Sequence, residues 1–451
     1  MSVVRAPQWH RSSRWKETIQ PYTRPRTLTM LVLGFSSGLP FLLVGNTLGY
    51  WLRDEGTTLA AIGFLSWVGI AYSLKFLWAP IIDRVRAPFF GRLGRRRGWM
   101  ALAQIVIGAA LILMSMIGTS SGLVVSGAAA LVVAFASATQ DIVIDAWRIE
   151  SAASGEELGL LSSAYQFGYR VALIATDAII LVAANHLGWR PSYAAYGLLM
   201  AIGLAATLVA AEPAKADAVI EAKTEAAPFT SLRGLYDAIV GPFVAFFRVH
   251  GWLALLMLAA ISLYRLPDFL MGPMANPLYH DIGLSKDVVG SVRGTIGLIA
   301  SFAGIAAGGF WALRFGFMSA LIVGGVLQAI AVASFALLPH TGANMPIFVG
   351  VMAADNFGIS FAGVALVSYM SSLTTLGYTA TQYALLSSTY AWAGKILKGF
   401  SGAIVEGLSA SHGLMDAYAI FFVCAGLIGI PAILLFLLLS ARQRGERQST
   451  A

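Results

Sequence analysis

Twelve runs of mostly apolar residues, separated by short polar breaks, dominate this chain of 451 residues. Each run is long enough to cross a bilayer, whose hydrocarbon core needs about 20 helical residues. In lipid a segment must satisfy its own backbone polar groups, so runs of this length predict α-helices. Hydrophobic residues make up 58% of the chain and charged residues 12%, against about 25% charged in a soluble protein. The sequence therefore predicts an all-α integral membrane protein with twelve transmembrane helices.

The predicted spans form two sets of six, over residues 28–211 and 251–440. The segment 212–250 between them is rich in Ala and charged residues and holds three prolines, which predicts a linker. A basic tail at 1–27 and a short tail at 441–451 complete the predicted organisation. The individual spans are expected at 28–51, 59–82, 98–118, 122–148, 157–184, 191–211, 251–275, 286–312, 317–338, 345–372, 379–407 and 414–440.

The distribution of positive charge predicts the orientation. If both termini are cytoplasmic, 21 of the 30 Lys and Arg residues lie in cytoplasmic segments, including Arg148 at the end of span four. Only three lie outside, and six lie within spans. Positive charge is retained on the cytoplasmic side, so we expect cytoplasmic termini. The basic patches are then anchors near lipid headgroups, and no nucleic-acid partner is expected. The first apolar run is too long for a signal peptide and lacks a cleavage site, so we expect it to stay in the membrane.

Two carboxylates in span four are the first candidate functional groups. Asp141 and Asp145 are four residues apart, which places both on one helix face. An ionised carboxylate in hydrocarbon costs at least about 2.5 kcal/mol, so the pair should face other helices or a hydrated cavity. Two nearby carboxylates in low dielectric do not both ionise cheaply. We interpret them as proton-coupling groups. The alternative is that either one pins span four to a neighbouring Arg or to the cytoplasmic loop.

Further polar side chains within spans are candidate substrate contacts. Gln166 and Arg170 share a face of span five, and an Arg fork suits a carboxylate or phosphate; alternatively Arg170 pairs with Asp141 or Asp177. Lys75 lies three residues after Tyr72, among aromatic residues. The same interpretation covers Gln140 in span four, Tyr264 and Arg265 in span seven, and Gln382, Trp392 and Lys395 in span eleven.

Two more acids are candidate proton-coupling groups. Asp268 follows Arg265 by three residues, so the pair forms either a gate or a self-satisfied ion pair. Asp355 in span ten occupies the position that Gln140-Asp141 holds in span four, although a packing or capping role is equally open. In span one, Ser36, Ser37 and Pro40 predict a helix irregularity, because proline removes a backbone hydrogen bond.

No cofactor or metal is expected. None of the six histidines forms a metal-ligand spacing, and no Walker loop is present. The proton gradient is therefore the expected driving force. Besides a small-molecule substrate and the bilayer, no obligate protein partner is evident. A membrane enzyme acting on lipid-linked sugars would also use buried acids, but the repeated halves favour a secondary transporter. A solute sensor without flux is a further alternative.

Several motifs resemble a known family. Asp83-Arg84, followed by Gly94-Arg95-Arg96-Arg97, resembles a stretched form of the signature loop of the major facilitator superfamily. The segments 34–40 (GFSSGLP), 75–80 (KFLWAP), 138–147 (ATQDIVIDAW) and 380–387 (ATQYALLS) are similar to those of AmpG-type muropeptide permeases. So are Pro88-Phe89-Phe90-Gly91 and Arg95–Trp99. The similarity keeps its order along nearly the whole chain.

This resemblance implies import of anhydromuropeptides, sugar-peptide fragments of the cell wall, across the bacterial inner membrane by proton symport with alternating access. The same motifs also resemble acetyl-coenzyme A transporters and some siderophore permeases, so another bulky anion is the alternative substrate. We interpret Asp83, Arg84, Arg95 and Arg96 as a conformational latch that joins the two halves on the cytoplasmic side.

Overall fold

The computed structural model describes residues 24–55, 71–118, 123–213 and 239–449, with the isolated positions 68, 218–219, 231 and 236–237. Most of the predicted N-terminal tail, the first part of span two and most of the linker lie outside these residues. Every regular element within the described residues is helical. The helical segments join into twelve rods that overlap the predicted spans, although span two is described only from residue 71 onwards. The all-helical architecture confirms the fold class. We number the rods α1 to α12.

The first six rods follow the chain from residue 25 to residue 209. Their helical segments are Pro25–Leu43 and Asn46–Asp54 (α1); Ala71–Leu74, Lys75–Leu77 and Ala79–Arg84 (the described part of α2); Arg95–Ile117 (α3); Leu123–Ser151 (α4); Gly155–Ile174, Ala175–Ile179 and Ile180–Leu187 (α5); and Trp189–Val209 (α6).

A linker helix, Gly241–His250, precedes the second six rods. Their segments are Leu253–Tyr264 and Leu266–Asp281 (α7); Lys286–Val292, Arg293–Gly297 and Leu298–Phe315 (α8); Phe317–Ser334, Phe335–Leu337 and Leu338–Thr341 (α9); Met345–Ser372 (α10); Thr379–Leu397, Lys398–Phe400 and Ser401–His412 (α11); and Leu414–Leu427 and Ile430–Ser449 (α12).

Nine helices in the described part of the chain are long and apolar enough to cross a membrane. The remaining rods are α2, which is only partly described, α5 and α11. Large apolar side chains such as Leu198 (66% exposed) remain on the outside of the bundle. An apolar outer surface of this kind fits a lipid environment.

Each half has its own core, and small residues allow the helices to approach closely. A Cβ atom at Gly168 of α5 would lie 1.9 Å from the Leu31 carbonyl oxygen of α1, and one at Gly34 would lie 2.3 Å from the Tyr165 carbonyl oxygen. The two helices can approach this closely only because both positions are glycine, and small residues of this kind are usual where helices pack in lipid. Gly304 of α8 has the corresponding relation to Phe357 of α10, with a Cβ–O distance of 2.3 Å.

Several rods depart from α-helical geometry at charged residues. Lys75 begins a short 3₁₀ turn in α2, and Arg265 interrupts α7 just before Pro267. Arg293 begins a π-helical turn in α8. In α1 the irregularity predicted at Ser36–Pro40 is displaced: the helix continues through Pro40 and is broken one turn later, at Val44. At Pro40 the helix lacks one backbone hydrogen bond, because proline has no N–H. It continues through this residue because the φ angle of proline is compatible with a helix.

Within the described residues, the halves meet mainly through five pairs of rods: α2 with α11, α4 with α11, α4 with α10, α5 with α8 and α5 with α10. One end of the molecule carries the Arg84–Arg97 segment and the linker helix. We call it the basic end; it is the end for which the charge distribution predicts a cytoplasmic location. The close contacts of α2 and α11 lie there.

Candidate functional site

A cavity of about 330 Å³ lies between the two halves. Its size falls within the range of small-molecule sites in proteins. The first half contributes most of the polar lining, from α2, α4 and α5; the second half contributes Arg265 and the inner faces of α10 and α11. The polar lining residues are Lys75, Asp141, Asp145, Tyr165, Gln166, Tyr169, Arg170, Arg265, Ser360, Tyr383 and Ser387.

The two carboxylates of α4 face this cavity and have different partners. Asp141 accepts a hydrogen bond from the Ser37 hydroxyl of α1. Asp145 lies 3.8 Å from Lys75 Nζ and 3.0 Å from Arg148 Nη1. Lys75, which had no acid near it in sequence, therefore finds its partner on another helix. Asp145 is held between two cations, whereas Asp141 is held by a neutral hydroxyl.

Close contact between α1, α4 and α5 orients the Asp141 carboxylate. The Tyr165 hydroxyl lies 3.0 Å from the Ser37 oxygen, and because Ser37 donates to Asp141, Tyr165 donates to Ser37. Gln140 lies on the α1 side of α4, fully buried, and donates to Ser36 Oγ at 3.1 Å. The Ser36-Ser37 pair thus holds two consecutive residues of α4. Sequence reasoning assigned these serines only to a helix irregularity.

The other side of the cavity carries two arginines. Arg170 of α5 reaches across to the second half, where it donates to Ser301 Oγ at 2.8 Å and Asn356 Oδ1 at 3.2 Å. Asp141, one of the two partners considered from the sequence, is instead bound by Ser37; the side chain of Asp177, the other, lies outside the described residues. Arg265 forms an ion pair with Asp268 at 3.1 Å and donates to the Ile359 carbonyl.

Asp355 lies near enough to Arg170, Arg265 and Arg293 to interact with them electrostatically. Together with Asp268, it gives this side of the cavity a mixed set of acids and guanidinium groups. Both acids lie behind the arginines and are not among the residues that line the cavity. Their predicted proton-coupling role remains a prediction.

Five predicted substrate contacts lie outside the cavity lining and have protein neighbours. Besides Gln140, Tyr264 donates to the Leu321 carbonyl at 2.9 Å, and Gln382 donates to the Pro242 carbonyl at 2.9 Å. Tyr72 packs edge-on against Phe41, with ring centroids 5.4 Å apart. Lys395 donates to Ser73 of α2, so it joins α11 to the first half. The side chain of Trp392 lies outside the described residues.

Beyond the cavity lining, towards the basic end, lies a residue that sequence reasoning placed elsewhere. Arg148 was counted among the loop charges, but the structure places it inside α4 with no exposed surface. Its guanidinium carbon lies 5.1 Å from the ring centroid of Tyr165 and 5.2 Å from that of Tyr383. Its Nη2 donates to Ser371 Oγ of α10 at 3.0 Å. Tyr383 and Ser371 belong to the second half.

Nearer the basic end than Arg148, the predicted latch residues lie together. Asp83 accepts hydrogen bonds from the Thr381 amide and hydroxyl, both at 2.8 Å, and from the Ala380 amide at 3.2 Å. Arg96 donates to the same carboxylate at 2.7 Å. Burial alone would raise the pKa of Asp83, but Arg96 and the Thr381 donors hold that pKa below its ordinary value. Asp83 is therefore an anion that joins the two halves at the beginning of α11.

The three latch arginines support this contact from the first half and from the linker. Arg96 also pairs with Glu150 at 2.6 Å, and Arg95 lies 3.4 Å from the same carboxylate. Arg84 pairs with Asp237 of the linker and lies over the ring of Tyr378, 5.7 Å from its centroid. The Tyr378 hydroxyl donates to Asp237 at 2.6 Å. At this end, both halves and the linker are therefore joined.

Comparison with known proteins decides the family. The family model of the Major Facilitator Superfamily matches residues 27–398. The chain belongs to the major facilitator superfamily. Among superfamily members it is similar to the anhydromuropeptide permease of Escherichia coli (strain K12), with 35% identity over 94% of this chain and 81% of that protein. It is 28% identical to the putative transporter AmpG 3 of Rickettsia prowazekii, over 92% of this chain and 96% of that one. The resemblance to AmpG-type permeases is therefore confirmed.

Solved structures of other superfamily members share the fold. The proton:xylose symporter XylE aligns with a TM-score of 0.64 at 14% identity, covering 94% of this chain and 96% of that one. A bacterial homologue of the iron transporter ferroportin aligns with a TM-score of 0.62 at 13% identity, covering 92% and 98%. As a member of the superfamily, this protein is a multi-pass membrane transporter.

Proposed function

We propose that this protein imports anhydromuropeptides across the bacterial inner membrane by proton symport, using alternating access to the central cavity. The observation that carries the proposal is the 35% identity, over 94% of this chain, to a protein named anhydromuropeptide permease. The alignment includes the helices that line the cavity, because it extends over nearly the whole length of both halves.

The cavity has the chemistry that a sugar-peptide requires. Arg170 and Arg265 present guanidinium groups from opposite halves, and a guanidinium fork binds the carboxylates of a peptide through paired hydrogen bonds. Tyr165, Tyr169 and Tyr383 present aromatic faces and hydroxyls to the same space. Rings of this kind pack against the apolar faces of sugars while their hydroxyls bind polar groups. Contacts from both halves allow one bound solute to change how the halves are held.

Proton coupling is assigned to Asp141 and Asp145. Both line the cavity, and the hydrogen bond of Asp141 is to a neutral hydroxyl, although Lys75 also interacts with this acid electrostatically. A hydroxyl can donate or accept, so it can bond to either protonation state of the acid, which suits a proton carrier. Asp145 shares its charge between Lys75 and Arg148 and is therefore the better conformational sensor. No bound cofactor is required in this scheme.

The positive charge at the basic end supports a cytoplasmic location for that end and for both termini. With this orientation, the Asp83–Thr381 contact and the contacts of Arg148 with Tyr383 and Ser371 close the cytoplasmic side of the cavity. The bilayer and the solute are the partners that this function needs.

The proposal is tested by uptake into proteoliposomes that contain the purified full-length protein. Labelled GlcNAc-anhydromuramyl tripeptide should accumulate when an inward proton gradient is imposed and should equilibrate without accumulation when the gradient is collapsed. Excess unlabelled tripeptide should compete, whereas an acyl-coenzyme A or a ferric siderophore should not. Accumulation of one of these other anions, with no uptake of the tripeptide, would reassign the substrate. Equal uptake with and without the gradient would remove proton symport.

A further inference from the structure

Arg148 is a fully buried charge that contacts the second half beside the cavity. Its side chain extends from α4, one helical turn beyond Asp145, and none of its surface is exposed. Two tyrosine rings enclose the guanidinium group, Tyr165 from the first half and Tyr383 from the second. A cation that is desolvated between aromatic faces is attracted to both rings. The Ser371 hydroxyl of α10 accepts its hydrogen bond.

The contacts of Arg148 with Tyr383 and Ser371 join the halves, so they exist only while the cytoplasmic side is closed. If α4 separates from α10 and α11, the guanidinium loses one ring and one acceptor but gains water. The free energy of opening therefore depends on how well the charge of Arg148 is balanced by a nearby anion in the closed state. A buried charge whose partner is removed strongly destabilises the structure that contains it.

Asp145 provides that balance, and it lies in the cavity. Its carboxylate is 3.0 Å from Arg148 Nη1. The other charged or titratable groups that face it are Lys75 of α2 at 3.8 Å, Asp141 on its own helix, Tyr165 of α5 and Tyr383 of α11. Among these, Lys75 is the competing cation. A change in the charge of Asp145 is therefore transmitted directly to the arginine that holds the halves together.

We propose that Arg148 is the gate residue of the cytoplasmic side and that the charge of Asp145 sets whether this gate holds. When Asp145 is ionised, Arg148 is paired and the two halves stay closed below the cavity. When Asp145 is neutralised, by a proton or by a cationic group of a bound solute, the guanidinium is left unpaired in the interface. Opening then hydrates it. This inference rests on the proposed alternating-access transport, but it requires no particular solute.

A cysteine-accessibility experiment tests the gate without any solute. The native cysteine is removed as Cys424→Ser, and the cavity residue Ser387→Cys serves as the reporter in the full-length protein. Inside-out vesicles are treated with a membrane-impermeant maleimide, which reaches the reporter only through the cytoplasmic side. Arg148→Met should increase the labelling rate about tenfold, because two attractive contacts of a desolvated cation across the interface are lost. Arg148→Lys, which keeps the charge but loses the planar fork, should give a smaller increase.

The link to Asp145 is tested by a double-mutant cycle. Asp145→Asn should also increase labelling about tenfold when Arg148 is present. In the Arg148→Met background the same change should have no further effect, because there is no buried guanidinium left to lose its partner. Arg293→Met is the matched control: its guanidinium lies 5.4 Å from the Tyr279 ring centroid, but both residues belong to the second half. This variant should label like the parent.

Two results would overturn the proposal. One is an Arg148→Met protein that labels at the parent rate; the other is an Asp145→Asn effect of equal size in both backgrounds. If Arg148→Met does not fold, Tyr383→Leu and Ser371→Ala remove the same contacts from the second half, and unchanged labelling in both would equally exclude the gate. Labelling is measured without solute, so a failure to transport the tripeptide would not affect the conclusion about the gate. In the same way, a failure of the gate test would not affect the conclusion about tripeptide transport.

Discussion

At the residue scale, the two carboxylates of α4 differ in what surrounds them. Asp145 lies between Lys75 and Arg148, whereas Asp141 is bound by Ser37, which in turn is bound by Tyr165. Through Arg148 the charge of Asp145 belongs to a set of contacts that reaches the second half, whereas the hydrogen bond of Asp141 stays within the first half. The pair is therefore suited to two tasks, proton carriage by Asp141 and control of the interface by Asp145.

Asp141→Asn should abolish gradient-driven accumulation of the solute and leave solute exchange largely intact. The amide still accepts the Ser37 hydrogen bond, so the cavity keeps its shape, but it no longer takes up a proton. The measurement compares uphill uptake with counterflow exchange in proteoliposomes. Asp416→Asn is the control, since this acid is 60% exposed at the beginning of α12. Unchanged uphill uptake in Asp141→Asn would assign the proton to another group.

At the element scale, two helices that carry cavity charges, α2 and α7, are interrupted where those charges lie. Lys75 and Arg265 both occur at breaks in α2 and α7, and a proline follows each of them within five residues. An interrupted helix in a membrane exposes backbone groups, which is tolerated where protein or a hydrated cavity satisfies them. The breaks allow the two cations to reach the cavity from helices whose axes are set by packing elsewhere.

The close packing of α1 on α5 sets the position of Ser37 relative to Asp141 and Tyr165. Gly168→Ala should separate these helices, because the new Cβ would lie 1.9 Å from the Leu31 carbonyl oxygen. We expect a loss of stability of about 1–3 kcal/mol and weaker uptake. Gly350→Ala on α10 is the matched control, since a Cβ there meets no atom within 4 Å. Thermal unfolding of the purified variants in detergent measures the difference; equal stability would contradict the close approach.

At the scale of the whole molecule, two levels of contact close the cytoplasmic side. The upper level is Arg148 between Tyr165 and Tyr383, and the lower level is Asp83 at the beginning of α11. The two levels use different chemistry. The charge that balances Arg148 belongs to the cavity, whereas Asp83 is balanced by Arg96, which lies outside it. Only the upper level is therefore directly sensitive to what the cavity contains.

Asp83→Asn should lower the unfolding temperature at pH 7, because Arg96 loses a buried anionic partner worth about 1–3 kcal/mol. Burial raises the pKa of Asp83, but Arg96 and the other donors lower it further, so that it lies below its ordinary value. A lowered pKa contributes stability above the unfolded-state pKa of about 3.9, and this contribution is lost as the pH falls through the folded-state value. The difference between parent and variant should therefore be constant from about pH 5 to pH 8 and shrink only below about pH 4. Tryptophan fluorescence during heating measures it; a difference that changes between pH 5 and 8 would indicate another titrating group.

Sequence alone determined the features that depend on near neighbours along the chain. The twelve spans follow from unbroken apolar runs, since a helix in lipid must be both long and apolar. The shared face of Asp141 and Asp145, and the Arg265–Asp268 pair, follow from helical spacing. The signature motifs were enough to indicate the family that the comparisons then established.

Only the tertiary structure decided which charges meet. Arg148 reads as a loop charge at the end of an apolar run, yet Ser371 and Tyr383, more than 200 residues away, enclose it. Lys75 finds Asp145 only when α2 packs beside α4, and Gln382 binds the linker instead of facing the cavity. Helical periodicity fixes which residues share a face, but the direction of that face depends on how each helix is rotated by its neighbours. That rotation is a property of the packed bundle, so it cannot be read from any one segment.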